Sequence, residues 1–299
     1  MNIYEFHQSG KTYTIAQLKA DVELSKNVQS CLIWLKLLDP PVDGIFGPLS
    51  TRALKTFQEY LKCPQIGILD TETAKKLIET DPIKFQKILD ESFDKLTLGS
   101  DLASRIIKYM LLKQYHVSMK PKEFNIVYIE GMNADGSKNS NATNYFNDRR
   151  IIIEIVNGVP TIRGNWDATT EPGTYWIQNP MNSRGAARIK FDQFKAWRVG
   201  PHRNQNLALR QVKPITVHRD RNKDGSRIGD SLHTGIFGIN QHHADNAPRH
   251  DIGRWSAGCL VGRTKADHEQ FMKIIMSDCR YQLNKNYLFE TTIIPGDDL

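Results

Sequence analysis

Cys259 closes a run of small residues, Ser256-Ala257-Gly258-Cys259, and two adjacent histidines, His242 and His243, precede it by 17 and 16 positions. A thiol must lose its proton before it attacks a carbonyl carbon. Free cysteine titrates at about 8.5, so a neighbouring imidazole is needed to take or balance that proton. The Ala257-Gly258 pair carries almost no side chain and lets backbone amides approach a carbonyl oxygen that turns negative during acyl transfer. Cys259 is therefore the candidate nucleophile and His242 or His243 the candidate base. Gly258 belongs to the same catalytic set, with the amides of Gly258 and Cys259 as oxyanion donors. His242 is preferred because Ile239-Asn240-Gln241-His242 continues a strand-like run. Arg254, Trp255 and Arg263 flank the turn and are the candidate substrate contacts.

These residues need a scaffold, and the second half of the chain reads as β-rich. Phe124 to Ile129 and Arg150 to Ile155 are β-branched runs, and Asn157-Gly158 marks a hairpin leading into Val159 to Ile162. Further strands are predicted at Gly173 to Ile177, Lys195 to Val199, Ile215 to His218 and Ile236 to Ile239, with a helix at Lys265 to Met276. Upstream, three short helices are predicted between Asn27 and Glu79. Val28, Cys31, Leu32 and Leu35 recur at helical spacing before Asp39-Pro40-Pro41 stops the first helix. A second runs from Ser50, a possible cap, to Leu61, and a third from Asp70 to Glu79. Ile45 and Phe46 in the intervening loop are expected to close a small core. Residues 81–120 read as a helical connector, carrying Ile83, Phe85, Ile88, Leu89, Phe93 and Leu96, then Leu102, Ile106, Ile107, Met110 and Leu111, with Gly99-Ser100 as a break and Asp101 as a cap. The fold class is α+β: an N-terminal extension (1–26), a helical domain (27–80), the connector and a β-rich domain (121–299).

Two resemblances follow from these motifs. Val42-Asp43-Gly44-Ile45-Phe46-Gly47-Pro48, then Thr51, Ala53, Phe57-Gln58, Gly67-Ile68-Leu69-Asp70, Thr73 and Leu77, resembles the three-helix peptidoglycan-binding domain. Peptidoglycan is the partner this implies. The later segment resembles the L,D-transpeptidase catalytic domain, whose signature is a histidine followed, after a loop, by Ser/Thr-His-Gly-Cys. Cys259 matches its nucleophile, Gly258 its glycine, Ser256 its leading hydroxyl residue, and His242 or His243 its base. Gly164 to Tyr175 is similar to the Thr-Pro-x-Gly turn before a strand in the same family. Two positions depart from the pattern: Ala257 replaces the histidine before glycine, and Val261 stands where arginine or asparagine is usual. Substrate placement then falls to Arg254, Arg263 or Arg249. The resemblance implies a wall enzyme acting by acyl transfer or hydrolysis on stem-peptide amides, as a lysin, an injected effector or a cross-linking enzyme.

Two rival readings stay open. The β-rich domain could be a degenerate enzyme that only binds wall, or His233, His242, His243 and His250 could hold zinc in a wall endopeptidase, although no HExxH is present. The thiol reading needs no metal and no cofactor. Asp220 to Gly225 copies the start of a calcium loop, but position twelve is Ser231, and a polar hairpin loop is expected.

Composition bounds these readings. With 39% apolar and 24% charged residues, the 299-residue chain falls among ordinary globular proteins and is long enough for two domains. A formal charge of +7 favours polyanionic surroundings. Nucleic acid is not expected, because the basic residues are dispersed and no nucleic-acid motif stands out. No run approaches the roughly 20 apolar residues of a membrane span. Cys31, Cys63, Cys259 and Cys279 form no CxxC pair and are read as free thiols. Met1 to Gly10 lacks the basic leader and apolar run of a secretory signal. The expectation is synthesis in the cytoplasm and arrival at the wall by lysis or specialised export.

Overall fold

The computed structural model describes residues 1–92, 96–203 and 206–299, apart from the side chains of 89–92. The chain divides into two compact units, Met1–Lys95 and Leu96–Leu299. Phe93 and the side chain of Leu89 lie outside the described residues.

In the first unit α1 (Ile3–Gln8), β1 (Tyr13–Thr14) and α2 (Ile15–Ala20) precede the three longer helices. Asn2 with Glu5 and Thr14 with Gln17 form reciprocal capping boxes that start α1 and α2. Ile3, Phe6 and Leu18 are buried in the same core as Val28, Leu32, Leu54, Phe57 and Leu77. Residues 1–26 are thus part of the helical unit and not an extension; six-residue helices are too short to show an apolar period. Then come α3 (Val22–Trp34), α4 (Pro48–Tyr60), β2 (Ile68–Leu69), α5 (Thr71–Glu79) and α6 (Pro82–Ser92). Asp70 caps α5 by accepting from the Thr73 amide at 2.7 Å. Gly47, not Ser50, is the N-cap of α4, with Pro48 at its first turn. Phe46 is buried, but Ile45 is 72% exposed and does not close the core.

One device occurs twice in this unit. The Gln29 side chain accepts from the Gly44 amide at 2.8 Å and donates towards Ile45 O and Ser50 Oγ, both at 3.2 Å. Gln58 accepts from the Gly67 amide at 2.7 Å and donates to Ile68 O at 2.6 Å and towards Thr73 Oγ1 at 3.3 Å. In each case a buried helix amide satisfies the backbone of a loop that no strand or helix can serve. Gly44 and Gly67 take φ +75° and +82°, so both loops need glycine.

The predicted connector is not one element. Phe85 of α6 is fully buried in the first core, whereas Ala103, Ile106, Ile107 and Met110 of α7 (Leu102–Leu112) pack with Val127, Ile129, Ile151 and Ile153 of the second unit. Asp101 caps α7, accepting from Ser104 N at 3.0 Å.

The second unit continues with β3 (Asn125–Glu130), β4 (Asp148–Val156), β5 (Val159–Thr169), α8 (Thr174–Gln178), β6 (Ala186–Ile189), β7 (Gln193–His202) and β8 (Asn206–Gln211). It ends with β9 (Ile215–Asp220), β10 (Ser231–Gly235), β11 (Gln241–His243), β12 (Leu260–Gly262), α9 (Lys265–Met276), α10 (Cys279–Leu283) and β13 (Phe289–Pro295). Among the described residues, eight strands close a barrel in the order β11-β12-β5-β4-β3-β13-β7-β8, and β10-β9-β6 form a separate sheet. Only β11–β12 and β13–β3 pair in parallel within this barrel order. The α+β class therefore holds, with a closed barrel at the centre of the β-rich unit.

Two predicted strands are absent among the described residues. Thr174 to Gln178 is helical, because Asn144 Oδ1 accepts from Thr174 N at 3.1 Å and serves as a cap borrowed from another loop. Ile236 to Ile239 has strand-like composition but no strand partner; the Gln211 side-chain oxygen accepts from Phe237 N and Ile239 N at 3.0 and 2.9 Å instead. Asp220 accepts from Asp224 N and Gly225 N, so the calcium-like sequence is a self-bonded polar turn.

Candidate active site

The turn that carries the candidate nucleophile is built around Ser256. Its buried hydroxyl donates to Cys259 O at 2.8 Å and accepts from Gly258 N at 3.1 Å, while its own carbonyl accepts from Gly173 N at 2.9 Å. Ser256 is spent on holding the turn. Gly258 sits at φ +123°, and a Cβ there would meet Ala187 O at 2.5 Å, so both backbone angle and space demand glycine. Because the Gly258 amide is engaged, the oxyanion role predicted for it does not fit. The Cys259 amide has no acceptor among the described residues, and it is the donor left at this turn.

Strand pairing decides which histidine faces the cysteine. In β11–β12, Gln241 pairs with Leu260, His242 with Val261 and His243 with Gly262. Leu260 N donates to Asn240 O at 3.0 Å, one of the bonds that hold Leu260 against Gln241, and the same register carried back one residue puts Cys259 beside Asn240. Paired residues in a parallel ladder share a face, and faces alternate along a strand. His242, Val261, Asn240 and Cys259 therefore share one face. Gln241 and His243 take the other: Gln241 bonds Tyr128 of β3 and Thr291 of β13 across the barrel interior, at 3.4 and 2.8 Å. The His243 ring lies 5.3 Å from that of His268 of α9.

Hydrogen bonding fixes the protons. His242 Nδ1 lies 2.9 Å from His243 O, and a carbonyl can only accept, so Nδ1 carries the proton and Nε2 keeps its lone pair. Burial pushes His242 down to about 3, so the ring is neutral at physiological pH. Burial likewise pushes the Cys259 thiol up. Sγ lies 3.6 Å from Gly238 O. The resting pair is thus a neutral thiol and a neutral imidazole, not a thiolate–imidazolium pair.

One more ring completes this face. His202 stacks on His242 with centroids 4.3 Å apart and planes within 10°. Asn240 Oδ1 accepts from Gln211 N at 2.9 Å, so its Nδ2 must donate to His202 Nδ1, at 3.1 Å. No sequence spacing links His202 to position 242; the contact exists because β7 and β8 close the barrel onto β11. His268 is buried, with Nε2 donating to Leu207 O at 2.8 Å and Nδ1 accepting from the buried Arg150.

The candidate substrate contacts separate. His202, Arg203, His242, His243, Arg254 and Lys265 line an open cleft of about 320 Å³, with Trp255 and Asp245 on its wall. Arg254 stacks on Tyr175 at 3.9 Å, and its carbonyl accepts from Trp176 Nε1 at 3.1 Å. Arg263 is elsewhere: it donates to Asp167, which also holds Arg149 and Arg249. Arg263 and Arg249 are therefore committed to a structural cluster and are not placed for substrate. Among the described residues no three of His, Cys, Asp and Glu converge on a metal position.

Behind the turn lies a buried charged cage. Arg188 bridges Glu130 and Glu171 at 2.8 and 3.0 Å, and Arg227 pairs with Glu130 at 2.7 Å. Burial opposes it, yet Arg227 and Arg188 hold Glu130 down at about 2. Burial, then the charge of Glu130, pushes Asp148 up to about 7, and burial pushes Glu171 up to about 8 against Arg188. Glu171 accepts from Asn144 N at 3.0 Å, and Asn144 Oδ1 accepts from Gly253 N at 3.2 Å, which links the cage to the segment before the turn.

Comparison with known proteins now bears on the first unit. Residues 22–77 match the family model described as "Putative peptidoglycan binding domain". That span holds both glutamine-bound loops. No curated protein sequence matches the chain. Among solved structures, a fused Zn-dependent amidase/peptidase/peptidoglycan-binding domain-containing protein from Clostridium acetobutylicum is 13% identical, with 95% of this chain and 99% of that chain covered and a TM-score of 0.29. An L,D-transpeptidase from Xylanimonas cellulosilytica is 10% identical, with 90% and 92% covered and a TM-score of 0.20. With scores this low, neither likeness carries a fold or a reaction over to this chain.

Proposed function

We propose that the chain is a peptidoglycan-binding cell-wall enzyme of L,D-transpeptidase-like chemistry, in which Cys259 and His242 carry out acyl transfer or hydrolysis at a stem-peptide amide. The observation that supports this most is the parallel β11–β12 ladder, with His242 on the face of Cys259 and its Nε2 lone pair unprotonated. The peptidoglycan-binding likeness of residues 22–77 supports the wall as its place of action, where tethering raises the local concentration of stem peptides.

In this mechanism Cys259 Sγ attacks the amide carbonyl carbon as its proton passes to His242 Nε2. The oxygen takes the negative charge and is met by the Cys259 amide. The C–N bond then breaks, His242 returns the proton to the leaving amine, and a thioester remains. An amine that attacks the thioester yields a cross-link, and water yields a cut. His202 holds the His242 ring by stacking, and Ser256 and Gly258 hold the turn.

One observation favours a second reading, a wall-binding protein without turnover: both thiol and imidazole rest neutral, so neither activates the other before substrate arrives. Mass spectrometry of muropeptides after incubation of purified sacculi with the protein decides between them. New dimers or new shortened stems, absent with Cys259→Ala, support the enzyme. Unchanged sacculi that still bring the protein down on centrifugation support binding alone. Activity that survives Cys259→Ala and disappears on chelation establishes the metal-dependent endopeptidase instead.

A further inference from the structure

The charges around the cleft are unevenly spent. Three arginines, Arg149, Arg249 and Arg263, are neutralised together on Asp167. Arg203, Arg254 and Lys265 line the cleft, and among the described residues none of them is ion-paired. One carboxylate, Asp245, shares that wall, and its backbone amide is bonded to His243 Nδ1 at 3.1 Å. The cleft beside the candidate base therefore carries three cations against one anion.

Arg254 is also preorganised. Its guanidinium carbon lies over the Tyr175 ring, 3.9 Å from the centroid, and a guanidinium held there can offer a carboxylate its planar pair of N–H donors. The neighbouring Gly253 takes φ +53° and is tied through its amide to Asn144, so the backbone that aims Arg254 is fixed before any ligand binds. A planar fork flanked by two further cations matches a carboxylate, which accepts paired N–H bonds, and a neutral carboxamide cannot replace it because half of its polar edge donates.

We propose that Arg203, Arg254 and Lys265 form a carboxylate-reading subsite, so that the stem peptide taken by this cleft bears a free carboxylate and not its carboxamide. The subsite rests on the thiol-enzyme reading only for the identity of the peptide.

The test is calorimetric binding of synthetic stem tetrapeptides to the full-length Cys259→Ala protein, with each carboxylate replaced in turn by its carboxamide. At one position the carboxylate form should bind about tenfold to a hundredfold more tightly, the range for charge-assisted paired hydrogen bonds. That preference should weaken with salt, vanish in Arg254→Gln with Arg203→Gln, and survive in part in Arg254→Lys, which keeps charge but loses the fork. Equal binding of acid and amide at every position overturns the subsite. So does a preference that persists in the double variant, which would locate it in the helical unit. Turnover of sacculi by the wild-type protein is scored separately. Preference without turnover leaves the subsite and removes the enzyme, and turnover without preference does the reverse.

Discussion

The helical unit and the barrel unit solve the same problem with different materials. Each must hold irregular backbone in place: the helical unit its two glycine loops, the barrel unit the turn that carries Cys259. The first uses one side chain per loop, Gln29 for Gly44 and Gln58 for Gly67, and both glutamines are buried. The second spreads the task over Ser256, Gly173, Asn144, Ala187 and the Glu171–Arg188 cage. A repeated local device suits a rigid binding surface, since each loop is independent of the other. A distributed device makes the nucleophile depend on several strands at once, so damage far along the sequence can reach it.

That contrast can be broken experimentally. The largest effect should come from Cys259→Ala, with roughly a thousandfold or greater loss of muropeptide turnover and undiminished co-sedimentation with sacculi; a parallel loss of both would show that the two units do not work separately. Next is Gly258→Ala, where left-handed φ and contact with Ala187 O combine. It should cost about 2–4 kcal/mol, lowering the calorimetric transition of the barrel unit and leaving that of residues 1–92 unmoved. Gln58→Ala should cost about 1–3 kcal/mol by leaving the Gly67 amide unpaired, in the helical transition only, with iodoacetamide labelling of Cys259 unchanged.

Two smaller effects depend on pH. With the thiol pushed up by burial and His242 neutral, alkylation of Cys259 should rise about tenfold per pH unit between 7 and 9; a rate flat from pH 5 upward would reveal an ion pair and sink the neutral-pair description. The cage should give the barrel unit a stability that falls with pH. Asp148 and Glu171 have raised folded-state values, about 7 and 8, so they bind protons in the folded state that the unfolded chain has already released. Their contribution is present below about pH 4 and is lost as pH rises through 7 to 8. Glu130, held at about 2, acts oppositely, but only below the ordinary carboxylate range. Chemical denaturation of the barrel unit at pH 5.5 and 8 checks the sign.

Legibility in the sequence follows the same division. The glycine loops and helices of residues 27–79 show because their causes are local: φ-positive glycines, Asp70 as a cap, apolar residues at helical spacing. Long strands with a tight turn, such as β4 and β5 around Asn157-Gly158, show for the same reason. What stayed hidden is made by distant partners. Gln211 unmakes a strand at Ile236 to Ile239, Asn144 makes a helix of Thr174 to Gln178, and three-residue strands such as β11 and β12 carry no period. In the site, Cys259 and the histidine pair were visible as types and spacing. The choice of face, the stacking of His202 and the diversion of Arg263 to Asp167 required the barrel to be closed.

The parallel pairing of β11 and β12 has one more consequence. Two parallel neighbours cannot be joined by a tight turn, so residues 244–259 must leave the barrel wall and return. That excursion contributes Asp245, Arg254 and Trp255 to the cleft, and His242 enters it from the ladder. The ladder and the excursion thereby line the cleft from different stretches of chain. Buried Ala244, Ala247 and Ile252 pin the excursion to Val261 of the ladder, so its exposed positions, Asp245, Arg254 and Trp255, are the ones open to exchange without disturbing the turn.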